Sequence, residues 1–184
     1  TEDAGIFQKI KIKNFSHTME VGKPSLPAHT DIVAVPLGGD INIVITDIQY
    51  KEFDNYNVYP ALKPATDTYG APEPDFIIDS AFYTQDTWYP ANSVEHLYSQ
   101  YIRNTEAALV QIRPMQFNPQ QQKIRVLTSI TYKIEFTGGS NFIDIQNHTD
   151  FYLSFFHNHF LNGSAVSKDI SNQKGMGVMA PPAP

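Results

Sequence analysis

Apolar and polar residues alternate over long stretches of this chain. From residue 123 to 136, Ile124, Val126, Thr128, Ile130, Tyr132, Ile134 and Phe136 share one face, and Gly138–Gly139 closes the run. Period two over fourteen residues predicts a strand with one covered side. Residues 6–15 repeat the pattern, with Ile6, Ile10 and Ile12 on one face and Lys9, Lys11 and Lys13 on the other. Residues 31–36 (DIVAVP) and 40–50 read as two strands joined by Gly38–Gly39, which predicts a hairpin. Residues 75–83 (DFIIDSAFY) are apolar on both faces and read as a covered strand. Residues 94–102 fit both periods and are assigned to a strand, because AALVQI at 107–112 suits a hairpin partner.

One segment breaks the rule. In residues 149–162, Phe151, Phe155 and His159 lie four apart, as do Tyr152, Phe156 and Phe160. That spacing predicts a helix, with Thr149 or Asp150 as N-cap and Asn162–Gly163 as a left-handed stop. Between strands, residues 51–75 hold four prolines and read as a long irregular connector, with VYPALKP laid extended along the body of the domain. Residues 84–90 turn polar, then aromatic, then Pro90, and predict a loop with its tip at Gln85, Asp86 and Thr87. The expected fold is mostly β: an antiparallel, jelly-roll-like β-sandwich with one short C-terminal helix. Residues 1–162 form the domain, and residues 163–184, small and polar and ending in APPAP, form a linker or tail.

Composition sharpens this picture. Twelve Phe and ten Tyr favour pleated surfaces, and thirteen prolines leave little room for long helices. The 184 residues suffice for one domain. A net charge of −6 without a dense basic run argues against a nucleic-acid partner. No apolar run approaches the 18 residues of a membrane span. The absence of cysteine excludes a thiolate metal site, a disulfide framework and a cysteine nucleophile in this chain. The chain begins at Thr1 with no leader pattern behind it, so it reads as a processed or shortened product.

Candidate chemistry is sparse. His157 and His159, with His148 nearby, would share a face on a strand but not on a helix, and no further ligands stand at a metal-site spacing. Asp47, Asp54, Asp67, Asp75 and Asp79 form no pair singled out by spacing. Phosphate-binding glycine patterns and the GxSxG elbow are missing, and the triplets at Asn14, Asn147 and Asn162 matter only in a glycosylating host. These residues predict no catalytic group, no metal site and no cofactor.

Five phrases stand in a telling order: GKPSLP (22–27), IVAVPLG (32–38), VYPALKP (58–64), IRPMQFNP (112–119) and YKIEFTGG (132–139). Together they resemble the propeptide of gingipain-type cysteine peptidases, family C25, over residues 20–162. The resemblance implies a non-catalytic prodomain of an exported bacterial zymogen. Such a prodomain helps its C-terminal peptidase fold and keeps it latent by laying a loop across the active-site cleft. It also implies an inhibitory loop at Gln85, Asp86 and Thr87, with Asp86 where arginine- or lysine-specific relatives carry a basic side chain. Two readings of Asp86 stand: it enters a pocket furnished with a cation, or the loop inhibits without an inserted side chain. Processing would fall between Asn162 and Ala180, at Asp169 for an acid-preferring enzyme and at Lys168 or Lys174 for a base-preferring one. A free-standing glycan or cell-surface binding module is the other reading, with Trp88 and Tyr89 as its aromatic platform.

Overall fold

The computed structural model describes residues 7–65, 68–70, 72–102, 105–139, 141–142 and 150–166. Among these residues the elements follow in the order β1 (Ser16–His17), β2 (Pro27–Val35), β3 (Gly39–Asp54), β4 (Val94–Ile102), β5 (Thr105–Ile112), β6 (Met115–Asn118), β7 (Lys123–Gly138) and α1 (Asp150–His159). A 3-10 turn spans Phe82–Thr84. The strands form a four-stranded sheet of order β1-β2-β5-β4 and a three-stranded sheet of order β3-β7-β6. The sheets are antiparallel; in β6–β7, Met115 faces Val126 and Asn118 faces Lys123. The class is therefore mostly β with one short C-terminal helix, as the alternation and the proline count imply.

Three local readings are corrected. Residues 7–15 do not form a strand: Gln8 alone makes a bridge, parallel to Val58. Its neighbour is the irregular segment around Val58, so the backbone exchange is short. Asn57 O accepts from Gln8 N–H at 2.7 Å and Gln8 O from Tyr59 N–H at 2.9 Å. Asn14, at φ 65°, then turns the chain into β1. Residues 75–83 are not a strand either. Asp79 Oδ1 accepts the Phe82 N–H at 3.0 Å, and this short-range bond bends the chain into the 3-10 turn. Residues 31–36 and 40–50 form no hairpin, since β2 and β3 belong to different sheets. Gly38, at φ 72°, instead helps the chain change sheets, with Gly39 N–H bonded to Pro36 O at 2.8 Å.

The chain divides into two compact units. The first contains Thr1–His29, Ile45–Val94 and Ile112–Thr131; the second contains Thr30–Val44, Glu95–Gln111 and Tyr132–Pro184. In the first, Leu26, Val58, Phe82, Tyr89, Phe117 and Ile124 make the buried core. VYPALKP does lie extended along this unit, through bridges from Pro60 to Pro24 and from Ala61 to Val21. Gly22 sits at φ 86°, and a Cβ there would stand 3.0 Å from Asp79 N, so the GKPSLP turn needs glycine.

In the second unit, Phe156 and Phe160 of the helical segment pack on the strand alanines Ala34 and Ala107. Four-residue spacing aims Phe156 of α1 and Phe160, just past its end, the same way, with the Phe160 N–H bonded to Phe156 O at 3.0 Å. The helix does not stop in a left-handed residue: neither Asn162 nor Gly163 has positive φ. Asn162 bonds both the N–H and the C=O of Ala34 at 2.8 Å, and residues 163–166 make one more helical turn that buries Val166 completely.

Candidate functional site

The loop tip predicted at Gln85–Thr87 is found there, and all three residues are exposed. What precedes and follows it is fixed. On the near side, Phe82 is buried, and Tyr83 Oη donates to Val58 O at 2.6 Å. On the far side, Tyr89 exchanges two backbone hydrogen bonds with Phe117, at 2.9 and 2.7 Å. The Tyr89–Pro90 peptide is cis.

The phrase MQFN, strand β6, forms the seat of this loop, and three successive side chains divide the work. Gln116 is 1% exposed; its Nε2 donates to Pro90 O at 2.5 Å and to Ala91 O at 3.1 Å, and its Oε1 accepts from Arg125 Nε at 2.5 Å. Phe117 lies fully buried in the core of the unit. Asn118 is 1% exposed and donates through Nδ2 to Asp86 Oδ1 at 2.7 Å, while its own Oδ1 accepts the Gln121 N–H at 3.1 Å. Gln121 Nε2 brings a second donor to the same Asp86 oxygen at 2.7 Å. Hydrogen bonds from Asn118 and Gln121 favour the ionised carboxylate and hold the Asp86 pKa below the usual range.

Arg125 completes the seat. Its guanidinium lies 4.4 Å from the Tyr50 ring centroid and 4.5 Å from that of Trp88, so the cation is layered between two aromatic faces. Tyr50 Oη and Ser93 Oγ share a hydrogen bond of 2.8 Å. Tyr89 is 7% exposed, with its hydroxyl donating to Glu20 Oε1 at 3.2 Å. Burial first, then the Glu20 charge, raise the Tyr89 pKa to about 12. Glu20 is pulled the other way, chiefly by its hydrogen bond from Lys23. Trp88 and Tyr89 therefore make no open aromatic platform: one ring covers Arg125 and the other is core.

The remaining candidates are not drawn into a site. His157 and His159 are exposed on α1, and His159 stacks on Phe155 with centroids 4.6 Å apart. No group of three His, Cys, Asp or Glu able to hold a metal occurs among the described residues. Asp54 pairs with Lys123 at 3.4 Å, and Asp79 serves the 3-10 turn. Asp67, Asn147, His148, Lys168, Asp169 and Lys174 lie outside the described residues. Sequence reasoning missed Gln116, Asn118, Gln121 and Arg125 as loop supports. The phrase IRPMQFNP marked the right neighbourhood without disclosing what it holds.

Among the described residues no helix is long and apolar enough to cross a membrane. The family model Propeptide_C25 matches residues 1–164. No curated protein matches the chain. Solved structures of similar fold include two from Porphyromonas gingivalis. One is a complex of RgpB pro- and mature domains, with 20% identity and a TM-score of 0.68 over 82% of this chain and 78% of that one. The other, from work on the zymogenic latency of gingipain K, has 21% identity and a TM-score of 0.59 over 71% of this chain and 74% of that one.

Proposed function

The chain belongs to the C25 propeptide family, and on that premise we propose that it keeps a C25-type cysteine peptidase latent by covering the active-site cleft with the loop at Gln85–Thr87. The observation that carries this reading is the contrast within a few residues between an exposed tip and buried anchors at Phe82, Tyr89 and Pro90. A loop ordered before binding loses little conformational freedom when it docks, which is what an inhibitor needs. Nothing in such a device requires chemistry from the prodomain: an extended segment, its main-chain hydrogen bonds and a complementary cleft suffice. An interface of ~1,600 Å² in total is ordinary for a protease inhibitor. The same scaffold would template folding of the peptidase in an exported zymogen. Cleavage beyond Val166, at Lys168, Asp169 or Lys174, would then separate the two, and N-terminal sequencing of the released peptidase identifies the bond.

The test is titration of the purified 184-residue chain into its mature cognate peptidase with a peptide substrate. Activity is expected to fall stoichiometrically. Replacing residues 85–87 by glycines is expected to weaken inhibition by ~100-fold, the scale of a binding hot spot, while circular dichroism still reports a folded chain. A peptidase that stays fully active at micromolar prodomain sinks the proposal. The binding-module reading draws no support from the structure, because Tyr89 is buried and Trp88 is covered by Arg125.

A further inference from the structure

We propose that Asp86 is the internal brace of this loop, not the side chain it offers to a pocket, and that the cleft meets the uncharged Gln85 and Thr87. The inference rests on the latency reading above and refines its specificity. Two amide donors, Asn118 Nδ2 and Gln121 Nε2, converge on Asp86 Oδ1, each at 2.7 Å. The Asn118 amide has a fixed orientation: its Oδ1 is engaged by the Gln121 N–H, so Nδ2 faces the loop. Asn118 is itself 1% exposed, so removing the carboxylate leaves a buried donor unmet.

The seat therefore selects an acceptor at position 86. A carboxylate is an acceptor only and accepts both amides at once, whereas a lysine or arginine would point donors at donors. Insertion of Asp86 into a partner's pocket would break both charge-assisted bonds. Staying in place, it costs the complex nothing and holds the tip. Among the described residues, no side-chain hydrogen bond engages Gln85 or Thr87, and both are exposed. The lowered pKa of Asp86 agrees with a carboxylate already satisfied within its own domain.

The experiment compares inhibition constants of the full chain against the mature cognate peptidase for wild type, Asp86→Ala, Gln121→Ala and the double variant. A brace predicts that Asp86→Ala and Gln121→Ala each weaken inhibition, Asp86→Ala by roughly tenfold as expected for a charge-assisted hydrogen bond, with the double variant no worse than Asp86→Ala. It also predicts that wild-type inhibition fades as pH falls below the carboxylate range while Asp86→Asn stays flat. Gln121 is exposed, so its substitution is expected to leave the fold intact, which circular dichroism checks. Loss on Asp86→Ala with undiminished inhibition by Gln121→Ala would overturn the brace in favour of an inserted acid. Full inhibition by Asp86→Ala would overturn it as well. Failure of the wild-type chain to inhibit is a separate result and strikes the latency reading instead.

Discussion

The two units bury their apolar residues with different degrees of polar commitment. In the unit with α1, the core is Phe156, Phe160 and Val166 against Ala34 and Ala107, large rings on small strand residues. Two short polar ties join that helical segment to β2: the Asn162 side chain on Ala34 and the Leu161 N–H donated to Ile32 O at 2.8 Å. In the unit with the exposed loop, the core of Leu26, Val58, Phe82, Tyr89, Phe117 and Ile124 is threaded by working polar groups. Gln116 and Asn118 are as buried as its aromatics, and Tyr83, Tyr89 and Arg125 spend their polar ends on the chain around the loop. Apolar burial is non-directional and fixes a shape loosely. Hydrogen bonds from buried amides fix positions, and they are costly to leave unmade. A loop that must be presented in one conformation belongs on the second kind of core.

The sharpest way to break this contrast is to truncate one ring in each core. Phe156→Ala and Phe117→Ala are each expected to cost ~3–5 kcal/mol in urea unfolding. Only Phe117→Ala should also weaken inhibition where the chain is still folded, because Phe117 pairs with Tyr89 behind the loop. Gly163→Ala comes next, at ~1–3 kcal/mol or somewhat more, since its Cβ would run into the Phe156 carbonyl and the His157 backbone. A melting temperature equal to wild type would show that the helical turn after α1 can shift freely.

Near-isosteric swaps test the difference more finely. Phe156→Met stays apolar at a somewhat smaller volume and is expected to cost ~1.5 kcal/mol. Gln116→Met changes less shape, yet should cost ~1–3 kcal/mol, because the Pro90 and Ala91 carbonyls and Arg125 Nε lose their partner. Equal costs would erase the distinction between the cores.

The smallest effect is expected in alkaline solution. Burial is the main cause that raises the pKa of Tyr83 and Tyr89, the latter to about 12 from the usual 10.0. An unfolded chain releases these phenolic protons first, so stability is intact below the unfolded value and declines as pH rises through the window up to the folded one. Tyr83→Phe and Tyr89→Phe should each flatten that decline, as followed by unfolding at stepped pH.

Periodicity located β3 and β7, where exposed and covered residues alternate over much of the strand, and the four-residue spacing of aromatic residues located α1, whereas β4, of ambiguous period, was reached through its partner β5. It failed at residues 7–15 and 75–83 for an identifiable reason. Alternation reports which side of an extended chain is dry but not whether a neighbouring backbone is there to pair with. At 75–83 a single side chain, Asp79, redirected the backbone locally. The supposed hairpin at Gly38–Gly39 failed likewise: two glycines announce a turn, and only packing decides whether the next strand returns to the same sheet.

For the candidate site the division is similar. The order of residues alone determined a mostly-β chain without cysteine, a loop tip at Gln85–Thr87, a helix after the last strand and a likeness to one propeptide family, since these depend on local pattern and composition. Only the tertiary structure decided what Asp86 is hydrogen-bonded to. Its two donors, Asn118 and Gln121, lie 32 and 35 residues away, and a hydrogen bond across that separation exists only once β6 and its turn have been folded against the loop.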